Sequence, residues 1–204
     1  LDYAADLSPD HTAIICDDDQ INYRQYRHAV AVFADKLLAL DCKGKRIVVL
    51  MGNSIEMSVA IYAIWAAGGV LVLLNPMYTA NELGPLIADA DPCAVICTEP
   101  LQDMVSTIAK TNGIDHVIPL GPGATMHTDW LAAEACALPE PRPKSTDVAS
   151  LQYTGGTTGL PKGARHLHGS IVNMTRQIAW SWSEEPASNV WLDVAPQFHI
   201  WGLC

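Results

Sequence analysis

The order of secondary structure is decided by residues 47–74, IVVLMGNSIEMSVAIYAIWAAGGVLVLL. The stretch begins with an apolar run at 47–50, which is typical of a short buried strand. The Ala-rich segment from 55 to 67 predicts a helix, and the glycine pair at 68–69 suits the end of that helix. The β-branched and Leu-rich run at 70–74 predicts another strand. Residues 47–74 therefore predict a strand, a helix and a second strand in succession.

The same region is also a candidate membrane span, because no charged side chain occurs from Met57 to Leu74. A run of that length is at the lower limit for a helix that crosses a bilayer. The glycine pair divides it into a helical part and a β-branched part, which favours a globular protein. We therefore expect no transmembrane segment.

The flanking segments repeat this alternation of short apolar runs with helical spacing. The expected elements are a hairpin around the Asp-rich turn 17–19, helices over 24–40, 102–110 and 170–182, and a helix that starts near Asn81 or Glu82. Strands are expected at 94–96, 116–118, 148–153 and 190–194. This order is typical of an α/β fold in which mostly parallel sheets are wrapped by helices. Residues 121–128 have the composition of a loop. The Pro-rich stretch indicates a sub-region boundary near 139–146 within a single domain, 1–204.

Composition limits the possible partners. The 204 residues include 12 Lys and Arg against 22 Asp and Glu, which gives a formal net charge of −10. A chain this acidic lacks the basic face that binds phosphate backbones, so we expect no nucleic-acid partner. Its apolar fraction of 50% excludes a disordered tail.

The 6 cysteines indicate buried thiols rather than a metal site. No pair has C-x-x-C spacing, and Cys93 and Cys97 are expected to share one face of a strand. We predict no metal ligands among them. Because nothing at the amino terminus resembles a signal peptide, a reducing cytoplasm is the expected location.

The segment with the clearest chemistry is 153–163, YTGGTTGLPKG. Its glycines let successive backbone N–H groups point into one concavity that holds anionic oxygens, and its threonines add hydroxyl donors. Lys162 adds a positive charge suited to a polyphosphate. The Walker A motif is not met, because Pro161 replaces its glycine and Gly163 replaces its Ser or Thr. The predicted phosphate-binding residues are Thr154, Gly155, Gly156, Thr157, Thr158, Gly159 and Lys162.

The 153–163 segment resembles the signature loop of the adenylate-forming superfamily, which includes acyl-CoA synthetases, firefly luciferase and peptide-synthetase adenylation domains. Gly155 is the rarer choice at a position that is more often serine. Residues 75–83 resemble the family's NPxYTxxEL stretch, although Leu73 stands where many members have proline. Residues 196–202 resemble the PxFHxxG segment beside the acyl pocket. Within the superfamily, the chain is most similar to long-chain fatty acyl-CoA ligases.

The resemblance implies an enzyme that couples a carboxylic acid, in particular a fatty acid, to coenzyme A with ATP and Mg²⁺. The acid attacks the α-phosphate to give an acyl-adenylate and pyrophosphate, and the thiol of coenzyme A then displaces AMP. By resemblance, residues 154–159 wrap the β- and γ-phosphates and Lys162 neutralises them. His199 borders the acyl-adenylate, with a merely packed histidine as the alternative. The resemblance supplies no certain catalytic residue in this stretch.

The family's later motifs, among them an aromatic-Gly-x-Thr-Glu segment and a carboxyl-terminal lysine, do not occur in this sequence. We therefore expect an incomplete AMP-binding domain without its carboxyl-terminal domain, inactive when isolated. An aryl-CoA ligase, a peptide-synthetase adenylation domain and a non-catalytic nucleotide-binding module remain alternatives. A homodimer and a peripheral association with a membrane also stay open.

Overall fold

The computed structural model describes residues 1–121, 126–134, 137–154, 161–181 and 190–203. Its helices are α1 (Asp2–Leu7), α2 (Tyr23–Ala39), α3 (Ile55–Ala66), α4 (Ala80–Ala90), α5 (Gln102–Thr111), α6 (Met126–Ala132), α7 (His168–Ser181) and α8 (Ile200–Leu203). Its strands are β1 (Thr12–Cys16), β2 (Asp19–Asn22), β3 (Arg46–Leu50), β4 (Val70–Leu73), β5 (Ala94–Thr98), β6 (His116–Leu120), β7 (Val148–Thr154) and β8 (Lys162–Leu167). A single 3-10 turn, Glu99–Leu101, precedes α5.

One sheet organises these elements, with the strand order β6-β5-β3-β4-β7-β8. Its neighbouring strands are parallel except β8, which runs antiparallel to β7. The central strand β3 pairs on both sides, so that Val48 lies opposite Val72 and Val95. Strands β1 and β2 form a separate antiparallel hairpin. The predicted α/β class with a mostly parallel sheet is confirmed.

Helices cover both faces of the sheet, which explains why β3 is apolar at consecutive positions. Ile47 and Val49 belong to a core cluster with residues of α2 and α3, whereas Val48 and Leu50 belong to a second cluster with α4 and α5. All four side chains are fully buried. The strand is therefore held between two hydrophobic layers.

The uncharged stretch 57–74 is divided as predicted. It falls into α3, which starts on the Ser54 N-cap, and β4. Gly68 follows the end of α3 at φ +74°, a left-handed conformation that favours glycine. Within the described ranges, no helix is both long and apolar enough to cross a membrane.

The loop predicted at 121–128 is partly wrong, because α6 begins at Met126. Trp130 of this helix is fully buried and stacks on Phe33 of α2, with ring centroids 5.1 Å apart. Burial of this large aromatic side chain against α2 fixes a short helix that has little helical signal of its own.

The strand predicted at 190–194 is wrong, because these residues form neither helix nor strand. Val190 and Leu192 are 92% and 86% exposed. An apolar run becomes a strand only when a neighbouring strand accepts its hydrogen bonds, and none in the described ranges pairs with it.

The prediction for Cys93 and Cys97 is also wrong. Cys97 lies in β5 and packs in the α4 and α5 layer, whereas Cys93 precedes the strand and packs in the α2 and α3 layer. There its Sγ lies 3.1 Å from the Sγ of Cys42. Alternation of faces applies only within a strand, and Cys93 lies outside it.

Candidate functional site

The candidate site lies at the carboxyl edge of the sheet. Strands β3, β4 and β7 are adjacent and parallel, so the segments that follow Leu50, Leu73 and Thr154 leave the sheet at one edge. Ligands of open α/β sheets bind at this edge. The 153–163 segment thus emerges where a ligand site is expected.

Thr154 and Lys162 bracket the predicted phosphate loop. They lie opposite each other in the antiparallel β7–β8 pair, and the Thr154 hydroxyl donates a hydrogen bond of 3.4 Å to the Lys162 carbonyl oxygen. Both residues are exposed. The sheet therefore holds the two ends of the loop side by side with a hydroxyl and an ammonium group accessible. The other predicted phosphate ligands lie outside the described residues, namely Gly155, Gly156, Thr157, Thr158 and Gly159.

The strands on either side of the loop are anchored by side chains. The Tyr153 hydroxyl donates a hydrogen bond to the Asp89 carboxylate on α4. Burial, together with this bond, raises the pKa of the Tyr153 hydroxyl. On β8, a Cβ atom at Gly163 would come within 2.8 Å of Leu151 Cδ1, so glycine lets the two strands approach. These contacts fix the backbone that enters and leaves the loop.

The 75–83 motif builds the start of a helix. Asn75 Oδ1 accepts a hydrogen bond of 2.9 Å from the Met77 N–H. The Glu82 carboxylate accepts bonds from the Thr79 N–H at 2.7 Å and from the Thr79 hydroxyl at 2.8 Å. Both bonds from Thr79 lower the pKa of the Glu82 carboxyl, and the bond from the backbone N–H has the larger effect. The motif thus uses its side-chain oxygens to cap α4 and to orient it after β4.

His199 lies in a tight turn that leads into α8. Its N–H donates to the Pro196 carbonyl at 2.9 Å, and its own carbonyl accepts from the Gly202 N–H at 2.9 Å. The adjacent Phe198 packs against the α2 and α3 core. His199 is exposed.

Sequence reasoning missed Asn53, which follows β3 at the same edge. Its Nδ2 donates to the Ala195 carbonyl at 2.8 Å, and its Oδ1 accepts from the Gln197 N–H at 2.8 Å. These contacts join residues 142 and 144 positions apart, so no local pattern reveals them. Asn53 connects the sheet edge to the segment that carries His199.

The donor set fits a polyphosphate better than a metal held by protein alone. Among the described residues, no group of three or more His, Cys, Asp or Glu side chains is placed to hold a metal ion. Mg²⁺ in nucleotide sites keeps several waters and uses few protein oxygens beside the phosphates. Thr154 places an exposed hydroxyl and Lys162 an exposed ammonium group at the two ends of the predicted loop.

Comparison with known proteins identifies the family. Residues 1–204 match the family model described as AMP-binding enzyme. The chain belongs to the AMP-binding enzyme family. The resemblance drawn from residues 153–163 is therefore confirmed.

Relatives within the AMP-binding family include several acid–CoA ligases. A long-chain-fatty-acid–CoA ligase of Bacillus subtilis (strain 168) is 28% identical over 232 residues, covering 96% of this chain and 40% of that ligase. 4-Coumarate–CoA ligase 5 of Oryza sativa subsp. japonica is 33% identical over 173 residues, covering 79% of this chain and 31% of that ligase. ATP-bound MatB from Rhodopseudomonas palustris superimposes with a TM-score of 0.83 at 32% identity, covering 95% of this chain and 39% of MatB. The chain spans less than half of each relative.

Proposed function

We propose that the protein containing this chain activates a carboxylic acid with ATP and transfers the acyl group to coenzyme A. The observation that carries the proposal is the pairing of Thr154 with Lys162, which holds both ends of the loop together at the carboxyl edge of the sheet. Membership of the AMP-binding family and similarity to acid–CoA ligases support it.

In the proposed reaction, a carboxylate oxygen forms a bond to the α-phosphorus of ATP. The bond from that phosphorus to the bridging oxygen breaks, and pyrophosphate leaves with its electron pair. Lys162 would stabilise the charge that develops on the pyrophosphate, and the Thr154 hydroxyl would exchange its bond to the Lys162 carbonyl for one donated to a phosphate oxygen. Mg²⁺, when bound, would neutralise further phosphate charge. The sulfur of coenzyme A then forms a bond to the acyl carbon and its thiol proton passes to solvent. The bond from that carbon to the phosphate oxygen breaks, and AMP departs with the electron pair.

A fatty acid is the proposed substrate class. The Bacillus subtilis relative, a ligase for long-chain fatty acids by name, aligns with nearly the whole chain, 96%. An aryl acid is the second candidate, because the Oryza sativa relative named for 4-coumarate has the higher identity, 33%. A cytoplasmic location belongs to the same proposal and agrees with the free thiols of Cys16, Cys42, Cys93 and Cys97.

The proposal is tested by acid-dependent exchange of labelled pyrophosphate into ATP, with the complete natural chain that contains residues 1–204. A panel of long-chain, short-chain and aryl acids distinguishes the substrate classes.

Lys162→Ala is expected to lower the exchange rate about 100-fold with the preferred acid, since it removes a charge that stabilises the leaving group. Lys110→Ala is the matched control, because Lys110 is an exposed lysine on α5. Unchanged exchange in Lys162→Ala would refute the role of Lys162. ATP binding without exchange for any acid would support a non-catalytic nucleotide-binding module instead.

A further inference from the structure

We propose that Asn53 is a positioning residue that holds residues 193–197 against the sheet edge and thereby orients His199 toward the acid. The inference rests on the proposed function and on the resemblance to the family, which implies that His199 borders the acyl-adenylate. Asn53 itself is not proposed to touch the substrate.

Both ends of the Asn53 carboxamide bind one short segment. Nδ2 donates to the Ala195 carbonyl at 2.8 Å and to the Asp193 carbonyl at 3.4 Å, while Oδ1 accepts from the Gln197 N–H at 2.8 Å. The side chain thus binds backbone groups on both sides of Pro196. A carboxylate has no donor for the two carbonyl oxygens and would repel them, so the pattern requires an amide.

The backbone of Asn53 is a fixed support. It lies between β3, whose last residues are buried, and Ser54, whose hydroxyl accepts a hydrogen bond of 3.0 Å from the Met57 N–H at the start of α3. A side chain anchored between a central strand and a capped helix has little freedom to follow a moving partner. The position of Asn53 therefore determines the position of the segment that it binds.

Gln197 strengthens the same connection. Its Nε2 donates to the Asp193 carboxylate at 3.0 Å, and its Oε1 lies 3.4 Å from the Ser58 hydroxyl, which also donates to the Ser54 carbonyl at 3.2 Å. The preceding residues contribute little burial, since Leu192 and Val194 are 86% and 80% exposed. Polar contacts to Asn53 and Ser58 hold residues 193–197 on this side, and Phe198, the next residue, packs against the α2 and α3 core.

The contacts of Asn53 with residues 195–197 also restrict His199, because a tightly packed turn connects the two. The His199 N–H binds the Pro196 carbonyl at 2.9 Å, directly between the two backbone groups that Asn53 binds. A Cβ atom at Gly202 would collide with that carbonyl, so α8 packs directly on the Pro196 backbone. A shift of residues 195–197 would therefore displace His199.

The ATP side of the site is supported separately, because Thr154 and Lys162 are held by the β7–β8 pair. Loss of the Asn53 contacts should therefore affect the acid more than ATP. We expect Asn53→Asp to lower kcat/KM for the acid about tenfold or more, since small displacements of a positioned group cost large factors in rate. The KM for ATP should remain within about twofold of the wild-type value.

The experiment uses the complete natural chain in the wild-type form and as Asn53→Asp, with Asn81→Asp as the matched control on an exposed position of α4. Hydrogen exchange followed by mass spectrometry should show faster exchange in residues 193–199 of Asn53→Asp, with β3 and α3 unchanged. Steady-state kinetics should show the loss for the acid alone. Unchanged exchange at 193–199, or faster exchange with normal kinetics for the acid, would overturn the inference.

Two further variants separate positioning from general destabilisation. Gln197→Ala removes the contacts to Asp193 and Ser58 without changing Asn53, and it should reproduce part of the acid-specific effect. In a His199→Ala background, Asn53→Asp should cause no additional loss, because its effect acts through His199. Additive losses would refute that route. If wild type shows no acid-dependent reaction, the proposed function fails, while the exchange data still decide whether Asn53 holds the segment.

Discussion

The Tyr153 hydroxyl donates a hydrogen bond to the Asp89 carboxylate and so ties β7, which leads into the predicted phosphate loop, to α4. Burial and this bond raise the pKa of the hydroxyl above its ordinary value of about 10. Tyr153→Phe removes the bond and should lower the free energy of unfolding by about 1 kcal/mol at neutral pH, measured by urea titration.

The same bond predicts a dependence on alkaline pH. The unfolded chain loses the Tyr153 proton near its ordinary pKa, whereas the folded chain retains it to higher pH. The contribution of Tyr153 to stability is therefore complete below about pH 10 and is lost as the pH rises further. Wild type should lose stability above pH 10 more steeply than Tyr153→Phe. Parallel curves for the two proteins would contradict the assignment.

The burial of His168 predicts the opposite pH dependence, a loss of stability at acid pH. Its ring packs edge-on against Trp65 with centroids 5.9 Å apart, and burial lowers the pKa of the imidazole, partly opposed by the charge of Asp147. Below the ordinary histidine pKa of about 6.5, the unfolded chain gains a proton that the folded chain resists. Stability should therefore fall from pH 7.5 to pH 5.5, and His168→Gln should reduce this fall. Urea titrations at the two pH values measure the difference, and an equal fall in both proteins would exclude His168 as its cause.

A side chain at Gly68 is predicted to destabilise the fold. At φ +74° an L-residue pays about 1 kcal/mol or more for the left-handed conformation that ends α3. Gly68→Ala should lower the midpoint of urea unfolding accordingly. Gly52→Ala is the control, because Gly52 has no positive φ and no atom within 4 Å of the added Cβ. Equal effects of the two substitutions would show that backbone conformation is not the cause.

The unit β3-α3-β4 could be predicted nearly to the residue because its signals are local. A buried run, the Ser54 cap and Gly68 in the left-handed conformation each act within a few positions. Strand β8 has no such signal, since most of its side chains are exposed, and it exists because its backbone pairs with β7. The opposite error occurred at 190–194, where an apolar run lacks a pairing strand.

The residues of the candidate site also differ in whether local sequence predicts them. Thr154 and Lys162 could be predicted from the sequence, because the motif that indicates phosphate binding spans only a few residues. Their pairing across β7 and β8 depends on strand register, which the motif does not specify. Asn53 could not be found, since its role depends on contacts to residues 142 and 144 positions away.

Trp130 tests helix α6, whose first residues, 126–128, fell within the predicted loop. Its side chain is fully buried and stacks on Phe33 at an interplanar angle of 25°. Trp130→Ala removes this packing and leaves a cavity beside α2, so it should cost about 3–5 kcal/mol in the free energy of unfolding. Trp130→Phe keeps a ring against Phe33 and should cost less. Trp130→Phe breaks no hydrogen bond, because the Trp130 Nε1 has no partner among the described residues. Urea unfolding of both variants provides the measurement. If Trp130→Ala were as stable as wild type, α6 would not be part of the core, and its assignment as a packed helix would have to be abandoned.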